Sequence, residues 1–260
     1  MIFLIFILSF SQLIDIKKNS KSDSELIINV AKTQLGIPYQ GGTLDTGKIE
    51  SCVVNYEGLD CVTFVENTLA IANALNNPRI SEGNFEQLII KNIENTRYRN
   101  GKLVDYISRL HYTGDWIRDN VKRNNIVDIT KELGGVKLNQ NVNFMSSNPQ
   151  YYMQLENNQE YINKIKVIEK ELNNYPLYYI PKDKINPKGI KSGDIICIAT
   201  NIKGLDYSHL GFAIKVGSKL KLIHASSNKK KVVIEEDLKA YLNSVKNHKG
   251  ITILRPIFQR

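Results

Sequence analysis

The sequence is poor in the residues that cross-link small proteins or bind metals. Its 260 residues contain three cysteines, four histidines and one tryptophan. Cys52, Cys61 and Cys197 are too few, and odd in number, for a disulfide framework, and none belongs to a CxxC pair of the zinc-binding kind. We therefore predict a free thiol and no zinc site built from CxxC pairs. A Cys52–Cys61 disulfide in an oxidising compartment is the alternative, and it would silence Cys61.

Long apolar runs are scarce as well, and the one at the N-terminus is short. The stretch MIFLIFILSFSQ holds about ten apolar residues, too few to span a bilayer but enough for a signal-peptide core. Ser9 and Ser11 are small residues near a possible cleavage point. We predict an exported, periplasmic protein in which residues 1–20 are a signal-like apolar segment and polar linker. A shortened start site or an uncleaved anchor stays open, because no basic residue precedes the run.

Acidic residues are fewer than basic residues. Lys and Arg number 35 against 26 Asp and Glu, which gives a net charge of +9. Such a protein is attracted to nucleic acid, lipid headgroups or carboxylate-rich wall polymers. The longest basic run, NKKK at 228–231, has no interleaved aromatic residues, which favours a solvated turn between strands over a nucleic-acid patch. We predict a monomer without a nucleic-acid partner.

The first half of the chain has helical spacing of its apolar residues. SELIINVAKTQLG predicts a helix with Ser24 as its N-cap. A second helix is predicted from Cys61 to about Leu75, and a Lys/Glu-rich helix near 157–173.

From about residue 190 the pattern changes to short strands. GDIICIAT, SHLGFAIKV, LKLIHAS, KVVIEE and GITILRPI are separated by turn residues. Helices first and a meander of strands last predict an α+β fold rather than an alternating parallel sheet. We predict a single domain over 21–260, with a helical elaboration at about 81–180.

Cys61 stands at the start of a predicted helix, in the stretch EGLDCVTFVENTLA. Asp60 can cap that helix, which leaves Cys61 in the first turn, where the helix dipole concentrates positive charge. That position favours the thiolate, the form in which cysteine attacks. The alternative is that Cys61 is a small buried apolar residue, as most free cysteines are.

Two histidines lie on a predicted hairpin in DYSHLGFAIKVGSKLKLIHASS. The GS dipeptide suits a two-residue turn, so Val216 faces Lys219 and Gly211 faces His224. His209 is then a diagonal neighbour of His224 on the same sheet face. A register shift of one residue would place His224 on the opposite face.

A thiol at a helix start and a histidine pair on a hairpin make the layout of a Cys-His-polar catalytic triad. Two alternatives stay open. The histidines could be hydrogen-bonded core residues, or the cysteine and histidines could form a low-occupancy metal site.

Several motifs in order resemble those of a known family. LGIPYQGG, LDCVTFVE, SGDIICIA, SHLGFAI and LIHAS are similar to the NlpC-type branch of papain-like cell-wall hydrolases. More narrowly, SRLHYTGDWIRDN, NFMSSNPQYYMQL, YYIPK, GLDYSHLGFAI and LIHASS resemble the N-acetylmuramoyl-L-alanine amidase-like family, over about residues 25–257. The resemblance implies a papain-like fold in which helices carrying the nucleophile pack on an antiparallel sheet or partial barrel, with helical insertions.

The resemblance also implies roles for individual residues. Cys61 would be the nucleophile, His209 the general base and His224 the residue that orients it. Tyr39 and Asp60 match positions that bind peptide near the nucleophile in the wider superfamily. For Tyr39 the alternative is a loop aromatic packed on the first helix.

Three further residues are candidates for substrate contact. Ser208 precedes the base in the Ser-His-x-Gly motif. Trp116, in HYTGDW, would stack on a sugar ring or pack in the core. Arg109 would meet a substrate carboxylate or an internal acid.

By the resemblance, the bond cut is the amide between the lactyl group of N-acetylmuramic acid and L-alanine, in anhydro-muropeptides or intact wall, without a metal or other cofactor. Two rival functions remain. One is a γ-D-glutamyl-diamino-acid endopeptidase with the same triad, and the other is a non-catalytic wall-binding module.

Overall fold

The computed structural model describes residues 8–45, 47 and 49–258. In this part of the chain the α-helices are α1 (Phe10–Asn19), α2 (Asp23–Thr33), α3 (Cys61–Asn76), α4 (Glu82–Arg97), α5 (Thr113–Lys122), α6 (Phe144–Ser147), α7 (Gln159–Asn174) and α8 (Leu238–Ser244). The strands are β1 (Ile126–Asp128), β2 (Val136–Lys137), β3 (Tyr178–Pro181), β4 (Ile195–Thr200), β5 (Tyr207–Val216), β6 (Lys219–Ser226), β7 (Lys231–Glu235) and β8 (His248–Pro256). Short 3₁₀ turns cover Arg99–Gly101, Tyr106–Ser108 and Pro149–Tyr151.

Helix α1 occupies much of the segment predicted to be a signal and linker. The apolar residues 1–7 lie outside the described residues, so that prediction is only partly covered. From Phe10 onward the chain is helical and packs on the domain: Leu13 is buried in the core, and the ring of Phe10 lies 5.3 Å from that of Phe85. No helix in the described part of the chain is long and apolar enough to cross a bilayer.

The two predicted N-terminal helices are present, with one change. Helix α2 begins earlier than predicted, because Ser22 rather than Ser24 accepts a capping hydrogen bond, from the Glu25 N–H at 3.2 Å. Ser24 is therefore inside the first turn, and its prediction as N-cap is wrong. Helix α3 runs as predicted from Cys61, one residue beyond Leu75.

The sheet is antiparallel throughout its described pairings. Eight strands within the described residues join in the order β2-β3-β8-β4-β5-β6-β7, and β1 pairs with the end of β8. The predicted meander is correct for β4 to β7. Strand β8 instead returns across the sheet to lie between β3 and β4, after helix α8 has carried the chain from the far edge. The result is the expected α+β architecture.

Helices cover both faces of the sheet, because successive side chains of a strand point to opposite sides. On one face α3 packs on β5, with the rings of Phe64 and Phe212 in edge contact at 5.9 Å. On the other face Leu238 and Leu242 of α8 join a second apolar cluster with Ile196. The start of α3 and the middle of β5 thereby come together at one end of the core.

Candidate active site

Asp60 caps helix α3 as the sequence predicts. Its Oδ1 accepts the backbone N–H groups of Val62 at 3.0 Å and Thr63 at 2.8 Å, while the Thr63 hydroxyl accepts the N–H of Asp60 at 2.9 Å. This reciprocal capping satisfies donors that the helix start would otherwise leave unpaired. It places Cys61 at the first helical position.

The thiol of Cys61 is a weaker acid than the sequence suggests. Burial, followed by the adjacent Asp60 carboxylate, raises the pKa of Cys61 to about 12, although hydrogen bonds from the backbone N–H groups of Leu210, Cys61 and Val62 act to lower it. The N–H groups at the helix start act towards the thiolate, as predicted, but the net effect on the pKa is a rise. Desolvation and the capping carboxylate outweigh the helix dipole. Cys61 rests as a neutral thiol.

His209 and His224 meet as the predicted hairpin register requires. Val216 pairs with Lys219 across the turn. His209 Nε2 lies 2.5 Å from His224 Nδ1, and the two rings are nearly perpendicular, at 89°. The prediction that both rings share one sheet face is confirmed.

A β-bulge directly precedes the first of these histidines. His209 pairs with Ile198, but Tyr207 already pairs with Ala199, so Ser208 is the extra residue. Bulges bend a strand and re-aim its side chains. The buried Oγ of Ser208 has no hydrogen-bond partner among the described residues. Its predicted substrate contact stays a prediction.

A carboxylate stands behind the histidine pair. His224 Nε2 lies 3.4 Å from Glu235 Oε1, and the Lys229 ammonium is 2.8 Å from the same carboxylate. Burial raises the pKa of Glu235, but its hydrogen bonds with Lys229 and His224 outweigh burial and lower it. A line of hydrogen bonds and an ion pair thus runs from Lys229 through Glu235 and His224 to His209.

Tyr241 of α8 covers the site from the side. Its ring centroid is 4.9 Å from that of His224, 6.2 Å from His209 and 5.5 Å from His248. Burial, then Glu235 and Cys61, raise the pKa of Tyr241 to about 12. Tyr241 therefore lies within electrostatic range of the nucleophile as well as of the histidines.

The histidines of this group are held neutral. Burial, followed by His224 and His248, lowers the pKa of His209 to about 3. Burial, followed by Lys182 and His224, lowers that of His248 to about 4. Within the described ranges, no group of three or more His, Cys, Asp or Glu side chains is arranged to hold a metal ion.

Tyr39 lies beside the nucleophile. The Leu59 N–H donates to the Pro38 carbonyl at 3.0 Å, which joins the Tyr39 loop to the segment before Cys61. Burial, then Cys61 and Asp60, raise the pKa of Tyr39 to about 12. Its role in substrate binding stays a prediction.

Arg109 is engaged inside the protein. It is 6% exposed, its Nη2 lies 2.5 Å from Asp45 Oδ1 and its Nε 3.3 Å from Glu50 Oε1, and its guanidinium lies over the ring of Tyr106. Of the two partners considered from the sequence, a substrate carboxylate and an acidic residue of the protein, these contacts correspond to the second. A substrate contact by Arg109 stays a prediction.

Trp116 belongs to the core and is 3% exposed. Its indole Nε1 has no hydrogen-bond partner among the described residues. It lines a cavity of about 30 Å³ together with His111, Leu210 and Val62, the residue that follows Cys61. Stacking on a sugar would require this ring to be uncovered.

Cys52 and Cys61 are both free thiols, so the alternative of a bridge between them is not realised here.

Sequence reasoning missed Glu235, Lys229 and Tyr241. A register signal existed for Glu235, because His224 pairs with Val233 and Glu235 is the diagonal neighbour two residues on.

Comparisons with known proteins identify the family of the chain. Residues 29–251 match the family model described as N-acetylmuramoyl-L-alanine amidase-like. The chain belongs to the N-acetylmuramoyl-L-alanine amidase-like family. A comparison with curated proteins found no significant match.

Three solved structures illustrate the likeness. An N-acetylmuramoyl-L-alanine amidase from Bacteroides uniformis is 37% identical with a TM-score of 0.83, over 90% of this chain and 99% of that one. A Bacteroides fragilis protein described as a xylanase is 38% identical with a TM-score of 0.80, over 87% and 99%. Protein LPG0564 from Legionella pneumophila is 26% identical with a TM-score of 0.70, over 95% and 94%.

Proposed function

We propose that this protein is a cysteine-dependent N-acetylmuramoyl-L-alanine amidase. It hydrolyses the amide between the lactyl group of N-acetylmuramic acid and L-alanine in peptidoglycan fragments, including anhydro-muropeptides. The observation that carries the proposal is that the thiol of Cys61 accepts a hydrogen bond from the backbone of Leu210, the residue that follows His209 in β5, while His209 contacts His224. A nucleophile, a base and a group that orients the base are the parts that acyl transfer needs.

The first step forms a thioester. Because His209 Nε2 is engaged with His224, Nδ1 is the ring nitrogen left to act as base. The Cys61 sulfur bonds to the lactyl carbonyl carbon as its proton passes to Nδ1 of His209. Since the pKa of the thiol is raised and that of His209 lowered, transfer accompanies attack and no ion pair forms beforehand. Backbone N–H groups at the start of α3, including that of Cys61 itself, would hold the developing oxyanion.

The second half returns the enzyme to its starting state. Collapse of the tetrahedral intermediate breaks the C–N bond, and His209 gives its proton to the departing amine of alanine. A water then attacks the thioester and gives one proton to His209. That proton passes to the Cys61 sulfur as the C–S bond breaks, which frees the lactyl carboxylic acid, and the acid then loses its remaining proton to water.

Glycoside hydrolysis lacks comparable support, although one similar structure is described as a xylanase. That reaction ordinarily uses two carboxyl groups flanking the bond. Near Cys61, the Asp60 carboxylate is occupied by the cap of α3, and Glu235 is paired with Lys229 and His224. The endopeptidase and the wall-binding module remain the rivals to exclude.

One assay separates these functions. Purified protein is incubated with defined anhydro-muropeptides, and the products are identified by mass spectrometry. Sugar plus intact peptide supports the amidase, a cut within the peptide means an endopeptidase, and no product means a binding module. Activity should survive a chelator, and inhibition that zinc reverses would contradict the thiol mechanism.

We further propose that the protein is exported to the periplasm, on the strength of the apolar N-terminal run. Fractionation of the native host, with N-terminal sequencing of the recovered protein, tests export and cleavage. Recovery in the cytoplasm with residue 1 intact would contradict it.

A further inference from the structure

We propose that Glu235, paired with Lys229, is a positioning residue that sets the tautomers of His224 and His209 so that Nδ1 of His209 is free to accept the thiol proton. The inference rests on the proposed function, because it assigns Cys61 and His209 as nucleophile and base. Neither Glu235 nor Lys229 touches the reacting atoms. Both act through the ring of His224.

The argument begins at the carboxylate, which can only accept hydrogen bonds when ionised. Glu235 Oε1 lies 3.4 Å from His224 Nε2, so that nitrogen carries the proton. A neutral His224 protonated at Nε2 has a bare Nδ1, which must accept. The atom 2.5 Å from that Nδ1 is His209 Nε2, which therefore donates. A neutral His209 protonated at Nε2 has its lone pair on Nδ1.

With the opposite pair of tautomers, His209 cannot accept the proton of the thiol. Without an acceptor at Nε2, His224 can hold its proton on Nδ1 and donate it to His209 Nε2. His209 then carries its own proton on Nδ1, where the thiol proton would have to go. Both arrangements keep the short bond between the rings, so that bond alone does not select the productive one.

Lys229 keeps the carboxylate charged. Its ammonium lies 2.8 Å from Glu235, and it belongs to the basic run at 228–231 that the sequence marks as a solvated turn. That turn is exposed, as predicted. One of its lysines nevertheless reaches back to Glu235. The lowered pKa of Glu235 is consistent with this pairing.

Other charged or titratable groups face the histidine pair from every neighbouring element. Tyr241 of α8 contacts both rings, and Cys61 of α3 acts on Tyr241. His248 of β8 contacts Tyr241 and acts on His209, and Lys182 acts on His248. None of these groups accepts a hydrogen bond from His224 among the described residues. Glu235 is thus the group placed to choose the tautomer.

Nitrogen-15 NMR of the histidine rings tests the tautomers directly and needs no substrate. In the unmodified protein at neutral pH we expect His224 and His209 both protonated at Nε2. In Glu235→Leu we expect a mixture, with Nδ1-protonated His209 appearing. In Glu235→Gln the amide oxygen still accepts, so the productive form should be largely restored. Unchanged tautomers in Glu235→Leu would overturn the proposal.

A second readout follows the reactivity of Cys61. The protein is alkylated with iodoacetamide across a pH series, and modification of Cys61 is located by peptide mass spectrometry. We expect the rate at pH 7 to fall about 10-fold in Glu235→Leu, the scale of losing one charge-assisted hydrogen bond. In Glu235→Leu, the fall of the alkylation rate at acid pH should also move to lower pH. The Glu235 carboxylate, which favours the protonated form of the histidine pair, is then absent. An unchanged rate and limb would contradict the positioning role.

The controls separate this inference from the proposed function. Glu236→Leu removes the neighbouring carboxylate, which pairs with Lys221 rather than with a histidine, and should change neither readout. An equal effect of Glu236→Leu would show a general charge effect and overturn the inference. His209→Asn should slow alkylation as much as Glu235→Leu or more. If it does not, the Cys61–His209 pair of the proposed function fails, while the tautomers still decide the role of Glu235.

Discussion

Gly211 lies directly against His224 on the neighbouring strand. A Cβ added at Gly211 would stand 2.9 Å from the Cβ of His224 and 2.6 Å from the carbonyl oxygen of Ile223. The missing side chain is therefore what lets the second histidine sit close enough to bond the first. The histidine contact therefore depends on Gly211.

Replacing Gly211 with alanine should disturb the pair of histidines. Backbone and Cβ must shift to relieve the contact, so we expect a loss of stability of about 1–3 kcal/mol and a larger proportional loss of activity. Urea unfolding and the muropeptide assay measure the two effects. Gly83→Ala, in a helix where an added Cβ meets nothing within 4 Å, is the control and should be neutral or stabilising. Full activity in Gly211→Ala would contradict the close-approach argument.

The nucleophile can be tested against a second thiol of similar exposure. Cys61→Ser should abolish turnover with little change in the thermal midpoint, because an alcohol of nearly the same size keeps its place at the helix start. Cys52→Ser should retain activity, since Cys52 packs against the core and its hydrogen bond to the carbonyl of Ile90 is long, at 3.8 Å. Retained turnover in Cys61→Ser would remove the assignment.

The pH dependence of activity follows from the lowered pKa of the base. Since His209 must be neutral to accept the proton, and its pKa is lowered from 6.5 to about 3, kcat/KM should remain on its plateau well below pH 6.5. A limb near 6.5 would contradict this expectation. The lowered pKa also means that the unfolded chain binds more protons, so stability falls as pH drops from 6.5 towards 3. Rates should therefore be measured with a fold control at each pH.

Glu66, in the same helix α3 that begins at Cys61, forms a buried ion pair with Arg97. Their side chains are 2% and 3% exposed, and Arg97 Nε lies 2.7 Å from Glu66 Oε2. Glu66→Gln should cost about 3–5 kcal/mol in urea unfolding, because the guanidinium loses its compensating charge. Glu160→Gln breaks the exposed pair with Lys164 and should leave stability unchanged. Similar effects of the two substitutions would contradict the role of burial.

Local chemistry made part of the site predictable. The cap that Asp60 places on helix α3 is a contact between residues close in sequence. The two-residue turn sets which residues of β5 and β6 face each other. Both follow from rules that act over a few residues. The cap of α2 was misplaced although a local signal favoured Ser22: Glu25 stands three residues after Ser22, the spacing of a capping box, whereas Ile27 has that position after Ser24.

The sequence by itself determined the α+β class, the helix start that holds Cys61, and the histidine hairpin, because periodicity, capping and turn chemistry are local. Tertiary structure alone decided the protonation of the site. Burial and Asp60 raise the pKa of the Cys61 thiol. Arg109 forms an ion pair with Asp45, and Glu235 on the next strand contacts His224. These outcomes depend on how much water is excluded and on which charges face one another, and neither is set until separate segments have packed together.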